Sequence, residues 1–129
     1  MTTSAIQLIA VAGGGAVGAL IRYGLGLWFA SAWPGRFNIT TLVVNVLGSL
    51  LIGIAYVVIV EKLRLPPVYR QLLMVGFLGG FTTFSTFSLE ALALVQSGQM
   101  GWALTYVGVS VVLSLAAVTA GYWLAQTLS

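Results

Sequence analysis

The sequence predicts an all-α integral membrane protein with four transmembrane helices, the third of them broken near its middle. Composition, four long apolar stretches and one run of Gly, Ser and Thr support this prediction. Of 129 residues, 60% are hydrophobic and 5% are charged, and the mean hydropathy is +1.08. Because a soluble domain needs many more charged side chains on its surface, this composition indicates a protein embedded in lipid.

Four hydrophobic stretches each meet or exceed the ~20 residues that a helix needs to cross a bilayer. They cover about residues 4–32, 40–60, 68–95 and 102–124. The short connections contain helix breakers, namely Pro34-Gly35, Pro66-Pro67 and Gly98. We therefore expect one membrane domain over residues 1–129. Its first stretch is a retained helix rather than a signal peptide, because it is too long and Arg22 interrupts it.

The third stretch contains the most informative run of the chain, GGFTTFSTFS from Gly79 to Ser88. Adjacent glycines and many hydroxyls are poor material for an uninterrupted helix. Lipid offers no water to free backbone groups, so a broken helix persists only against protein or a wet cavity. Channels and transporters hold ions at such breaks, because exposed helix ends carry partial charges. The run therefore predicts the functional centre, with unwinding over 79–83.

The residue types that are missing exclude most enzyme chemistry. The chain has no Cys, His or Asp, and its only carboxylates are Glu61 and Glu90. Disulfides, thiolate chemistry and the usual zinc and iron ligand sets are therefore excluded. Catalytic triads and carboxylate pairs within one chain are excluded as well. We expect neither an enzyme nor a nucleic-acid partner.

Polar residues recur at helical spacing in three of the predicted helices, so that each helix carries one polar stripe. The stripes contain Thr41, Asn45 and Gly48/Ser49 in the second helix, Thr83, Thr86 and Glu90 in the third, and Tyr106, Ser110 and Ser114 in the fourth. Interhelical hydrogen bonds, worth only about 0.6 kcal/mol on average, would explain any single member. Three stripes together with a broken helix favour a polar track.

Two charged residues and two aromatic residues each allow alternative interpretations. A charge at the bilayer centre costs roughly 2.5–3.5 kcal/mol, so Arg22 either attracts anions in a vestibule or anchors the interface. Glu90 is a proton carrier, a pore-lining acceptor or an interfacial residue. Phe84 and Phe87 either pack in the core or present their positive ring edges to a small anion.

The charge pattern leaves the orientation in the membrane open. Lys62, Arg64 and Arg70 lie around the second connection, against Arg36 in the first. This difference is a weak bias for the positive-inside rule. The chain therefore either inserts once, with the second connection in the cytoplasm, or inserts both ways and pairs antiparallel. A chain of 13.6 kDa has little interior for a hydrated path, so we expect an oligomer.

Three motifs together closely resemble the Fluc/CrcB fluoride channels. They are Gly18-Ala-Leu-Ile-Arg22-Tyr23, Thr41-Leu-Val-Val-Asn45, and the Gly79–Ser88 run with Glu90. The resemblance covers essentially the whole chain, in length, helix number and motif order. It implies a passive, fluoride-selective channel that exports fluoride across the bacterial plasma membrane, the inner membrane. It further implies an antiparallel, dual-topology homodimer in the lipid bilayer, with two pores.

The same resemblance implies roles for individual residues. Phe84 and Phe87 would contact fluoride through their ring edges, and Asn45 would donate its amide with Thr41 beside it. The rest of the polar track would comprise Thr83, Thr86, Ser88, Glu90, Tyr106, Ser110 and Ser114. Arg22 would lie in the vestibule. The backbone carbonyls of Gly79 and Thr82 from both subunits would bind a central structural Na⁺.

Two other functions remain open at the level of the sequence. One is a proton-coupled small multidrug exporter that uses Glu90, although such exporters depend on a Glu in the first helix, and this chain has none there. The other is an assembly subunit of a larger membrane complex. The formal net charge of +3 and the absence of Asp favour anions over cations.

Overall fold

Helices account for almost all of residues 2–32 and 39–128, which the computed structural model describes. Helix α1 is Thr3–Ala32, and α2 is Thr40–Ala55, which continues as π-helical turns over Tyr56–Lys62. Helix α3 comprises Pro67–Arg70, the π-helical Gln71–Leu78, and Gly79–Phe81. Helix α4 is Phe84–Gln96 and α5 is Met100–Thr127. The predicted first connection, with Pro34-Gly35 and Arg36, lies outside the described residues.

Within residues 2–32 and 39–128, four helical spans are long and apolar enough to cross a membrane, which confirms the prediction of an all-helical protein with four such spans. They are Thr3–Ala32, Thr40–Lys62, Pro67–Gln96 (α3 together with α4) and Met100–Thr127. Large apolar side chains such as Leu8, Leu20 and Leu104 are exposed on the outside of the helices. Such a surface suits lipid, which solvates apolar side chains, and would be unfavourable in water.

Glycines allow the helices to pack in two close pairs, α1 against α3 and α2 against α5. A Cβ atom on Gly18 would collide with the backbone carbonyl of Phe77 in α3. In the second pair, a Cβ on Gly53 would meet the Val118 carbonyl, and one on Gly121 would meet the Leu50 carbonyl. Small residues let backbones approach closely where lipid supplies no hydrophobic force between helices.

Two threonines in extended conformation separate α3 from α4. Thr82 has φ −91° and ψ 160°, and Thr83 has φ −153° and ψ 119°. The unwound segment is thus narrower than the predicted 79–83, because Gly79–Phe81 is still helical. Gly80 lies in this helix, and its missing side chain allows contact with the backbone of Gly15 in α1. Gly80 therefore serves close packing rather than unwinding.

The second and third connections have ordered backbones. In the second, Leu63 N donates to Val58 O and Leu65 N donates to Ile59 O, each at 2.9 Å. In the third, Gly98 has φ 78°. The Gly98 N–H donates to Val95 O at 3.1 Å, and the Gln99 N–H donates to Leu94 O at 2.9 Å. These are the two bonds of a Schellman motif, which ends α4 and turns the chain toward α5.

We expect Gly18→Ala to destabilise the protein, because its methyl group collides with the Phe77 backbone and forces α1 away from α3. Overpacking of this kind costs about 1–3 kcal/mol. The measurement is the thermal midpoint in detergent, which is determined from the loss of folded protein on size exclusion. Gly24→Ala is the matched control, since a Cβ there has no neighbour within 4 Å. Equal midpoints for the two variants would contradict the close packing of α1 on α3.

Candidate functional site

The side chain of Asn45, in α2, holds the extended segment between α3 and α4. Its Nδ2 donates to the Thr83 carbonyl at 3.0 Å, and its Oδ1 accepts from the Thr83 N–H at 2.7 Å. One amide thus replaces both of the partners that a regular helix would give Thr83. Because Nδ2 carries two hydrogens, one N–H of Asn45 is left for another acceptor.

The two threonines of the extended segment have different tasks. Thr82 ends α3, since both its backbone N–H (3.0 Å) and its hydroxyl (2.9 Å) donate to the Leu78 carbonyl. Thr83 begins α4 as its N-cap, because its hydroxyl accepts from the Thr86 N–H at 3.2 Å. This cap fixes the N-terminus of α4, the positive end of the helix dipole.

These bonds change the partners of the backbone carbonyls around the extended segment. The N–H groups of Thr83 and Thr86 are directed to side-chain oxygens. As a result, within the described residues, the Gly79 and Thr82 carbonyls receive no bond from the N–H four residues on. The Gly80 carbonyl accepts from Arg22 Nε at 3.1 Å. Arg22, predicted to lie in a vestibule, thus contacts the end of α3 from α1.

A pocket of about 380 Å³ lies beside the extended segment, bordered by α2, α3, α4 and α5. It brings together the predicted residues Asn45, Gly79, Thr82, Thr83, Phe84, Phe87, Ser110 and Ser114. Aliphatic side chains such as Ile52 and Leu78 complete the wall. No pocket-lining residue carries a formal charge, so any ion in the pocket is held by dipoles alone.

Ser110 is a buried polar residue in this pocket wall, and its hydroxyl bonds to none of the described residues. Only 5% of the residue is exposed, and its Oγ has no hydrogen-bond partner among the described residues. Leaving a buried hydroxyl without a partner costs about 1–3 kcal/mol. Because this hydroxyl borders the pocket and bonds to none of the described residues, it is available to a species that enters the pocket.

The two phenylalanines differ in their surroundings. Phe87 is 7% exposed and Phe84 is 76% exposed. Their ring centroids lie 5.5 Å apart, and the Phe87 ring also lies 5.2 Å from that of Tyr106. Phe87 therefore packs in the core while bordering the pocket. Phe84 presents most of its ring to the outside of the chain.

The remaining predicted residues lie outside the pocket wall. Tyr106 donates to Glu90 Oε1 at 2.7 Å and also interacts with the Thr41 side chain. These three residues form a second polar cluster, which the Phe87–Tyr106 ring contact joins to the pocket. Thr86 contributes its N–H to the α4 cap. The Ser88 hydroxyl donates to the Phe84 carbonyl at 2.9 Å, within its own helix.

Gly48 and Ser49, which belong to the predicted polar stripe of the second helix, also line the pocket, although the resemblance implies no role for either. A Cβ on Gly48 would collide with the Thr82 side chain, and the Ser49 hydroxyl donates to the Asn45 carbonyl at 2.7 Å. Both follow Asn45 by three or four residues, so helical periodicity places them on the same face. The described residues hold no group of three or more His, Cys, Asp or Glu side chains that could bind a metal.

Comparison with known proteins finds a matching family model and relatives that share one name. The family model for "CrcB-like protein, Camphor Resistance (CrcB)" matches residues 9–122. A protein from Saccharophagus degradans is 53% identical over 126 residues, which cover 98% of this chain and 94% of the relative. A protein from Hahella chejuensis is 52% identical over 115 residues, which cover 89% of this chain and 91% of the relative. Both relatives are named fluoride-specific ion channel FluC.

A third relative, from Stutzerimonas stutzeri, carries the same name and is 47% identical over 117 residues, or 91% of this chain and 94% of the relative. The matched region contains all three motifs, namely the Arg22 segment, the Asn45 segment and the run from Gly79. The resemblance found in these motifs is confirmed, and this multi-pass membrane protein belongs to the CrcB family.

Proposed function

We propose that this protein is a passive, fluoride-selective channel that exports fluoride across the bacterial inner membrane. The observation that carries the proposal is the buried Ser110 hydroxyl without a partner among the described residues, in the wall of a pocket bordered by Phe84 and Phe87. The names of the relatives, fluoride-specific ion channel, support the choice of anion.

The chemistry of the pocket suits a small, strongly hydrated anion. Such an ion gives up water only where other donors replace it. The pocket offers the second N–H of Asn45, the Ser110 hydroxyl, and the positive edges of Phe84 and Phe87. Serine moves readily between rotamers, so its hydroxyl can follow the ion. Because no formal charge lines the pocket, binding stays weak enough for the ion to leave.

Passive transport is also consistent with the names of the relatives and with the position of Glu90. The relatives are named as ion channels, so the expectation that this chain is not an enzyme is confirmed. These names do not favour the proton-coupled exporter. Glu90 accepts a hydrogen bond from Tyr106 and lies outside the pocket wall. In our proposal Thr41, Glu90 and Tyr106 continue the polar track away from the pocket.

The proposed assembly is an antiparallel, dual-topology homodimer with two pores. Gly79, Phe84, Ser85 and Ser88 are exposed in the single chain, at the break that we propose for the third membrane span. Backbone carbonyls and hydroxyls are costly against lipid, so a second copy that covers this face would stabilise it. The weak charge bias between the connections suits insertion in both orientations.

The proposed dimer binds a central Na⁺ through the carbonyls of Gly79 and Thr82 from both subunits. Support comes from the bonding of the extended segment, which leaves these two carbonyls without helical partners in the described part of the chain. Backbone carbonyls are the oxygen ligands that replace a cation's hydration shell in channels. A two-fold axis would supply two oxygens from each subunit.

The first test is anion efflux from liposomes that contain the purified chain and either potassium fluoride or potassium chloride. A potassium ionophore carries the counter-ion, and no pH gradient is applied. We expect rapid fluoride efflux with chloride retained, because the pocket replaces hydration by short-range donors. Absence of fluoride efflux from folded protein would overturn the proposal, and efflux only with a pH gradient would support the exporter.

We expect Ser110→Ala to reduce fluoride flux about tenfold, the equivalent of one lost hydrogen bond of ~1.4 kcal/mol. The thermal midpoint should stay the same or rise, since the Ser110 hydroxyl has no partner within the described chain. The matched control on the same helix is Thr119→Val, because this exposed hydroxyl donates to the Leu115 carbonyl of its own helix, 2.8 Å away. Unchanged flux in Ser110→Ala would remove this hydroxyl from the ion path.

We expect Asn45→Asp to abolish flux and to lower stability by about 1–3 kcal/mol, because the Thr83 carbonyl loses its donor and meets a negative charge. Loss of both flux and stability would distinguish the role of Asn45, which holds the extended segment, from that of Ser110, whose substitution should lower flux alone. Flux and thermal midpoint are measured on the same preparations. Gln96→Glu makes the same chemical change at an exposed position at the end of α4. An Asn45→Asp protein of normal stability would contradict the role of Asn45 in holding Thr83.

A further inference from the structure

Three basic residues lie at or beside the connection from α2 to α3, and we call Lys62, Arg64 and Arg70 the basic connection. All three side chains are exposed. Among the described residues, no carboxylate forms an ion pair with any of them. The nearest carboxylate in sequence, Glu61, accepts a hydrogen bond from Gln126 Nε2 at 2.6 Å. The basic connection therefore presents three exposed positive charges that form no ion pair among the described residues, with the Glu61 carboxylate next to Lys62 in sequence.

The backbone that carries these charges is fixed. Leu63 N donates to Val58 O and Leu65 N donates to Ile59 O, so that the chain folds back on the end of α2. Arg64 has φ 49°, a left-handed conformation that is uncommon for a residue with a side chain. The start of α3 also packs against the π-helical turns at Tyr56–Lys62. The three cations thus share one ordered end of the molecule.

Helix dipoles explain only part of this arrangement. Lys62 lies in the last turn of its helical segment, where the dipole favours a cation. Arg70 is the fourth residue of the helical run that begins at Pro67, close to its positive end. A cation is unfavourable there unless an anion lies nearby. The dipole of its own helix therefore does not stabilise the charge of Arg70.

Aromatic residues place the basic connection at the level of lipid headgroups. Tyr69 and Trp123 are exposed, and the Glu61–Gln126 bond brings the end of α5 beside the end of α2. Tyr and Trp are enriched at membrane–water interfaces. The connection also joins two membrane-crossing spans, so it lies where one of them leaves the hydrocarbon layer. The anion available in large amount at this depth is a phospholipid phosphate.

We propose that the basic connection binds the phosphate headgroup of an anionic phospholipid, such as phosphatidylglycerol. The two arginines and the lysine supply charge and hydrogen-bond donors to the phosphate oxygens, and the aromatic side chains hold the surface at headgroup depth. This proposal does not depend on which ion the protein conducts. In an antiparallel dimer, each face of the membrane would carry one such site.

The test measures binding of fluorescent phosphatidylglycerol and phosphatidylcholine to the full chain in neutral detergent, without fluoride. Each cation near a phosphate contributes about fivefold in affinity, so we expect a preference for phosphatidylglycerol of roughly a hundredfold. The triple variant Lys62→Gln/Arg64→Gln/Arg70→Gln should lose this preference. The charge-retaining control Lys62→Arg/Arg64→Lys/Arg70→Lys should keep most of it. High salt should weaken binding to the parent chain, since the charges are exposed.

Equal binding of the two lipids by the parent chain would overturn the proposal, as would an unchanged preference in the glutamine variant. Displacement of the labelled lipid by inorganic phosphate at the same concentration would indicate a free-phosphate site instead. If the glutamine variant fails to fold, two measurements on the parent chain test the proposal: its preference for phosphatidylglycerol and the weakening of that preference by salt. A parent chain that shows neither the preference nor the salt dependence excludes the lipid site.

Discussion

The pair of hydrogen bonds between the Asn45 side chain and the Thr83 backbone is the interaction on which the rest of the site depends. By accepting from the Thr83 N–H, Asn45 prevents the helix from continuing through residue 83. This leaves the Thr83 hydroxyl to cap α4 and leaves the Gly79 carbonyl without its helical donor among the described residues. One amide from α2 thus sets where α3 ends, where α4 starts, and which backbone carbonyls are left without a helical donor among the described residues.

Close helix packing fixes the relative positions of the helices that make this interaction. Arg22 reaches the Gly80 carbonyl because glycines bring α1 against α3. Asn45 reaches Thr83 from α2, which is itself packed closely on α5. The segment between α3 and α4 is therefore held from both helix pairs. Direct backbone contacts of this kind leave little freedom for one helix to slide along another, because interiors at native packing density transmit displacement.

Composition and hydropathy were sufficient to predict the four membrane-crossing spans, because a helix in lipid must satisfy its own backbone and must be apolar over its length. The motifs were sufficient to find the family. Sequence could not predict that unwinding is confined to Thr82 and Thr83, since the role of Gly80 depends on its contact with Gly15. Nor could it separate the pocket from the Glu90–Tyr106 cluster, since that division depends on how α4 and α5 are rotated relative to each other.

The contact between Gly48 and Thr82 has a consequence for how this sequence can evolve. A Cβ at position 48 would occupy the space of the Thr82 methyl group and lie 3.4 Å from the Phe81 ring. A residue larger than glycine at position 48 therefore requires the Thr82 side chain to rotate or to be replaced by a smaller one. A smaller residue at position 82 meets no such clash, so the order of substitutions matters: position 82 can change first, and an enlargement at position 48 is tolerated after it.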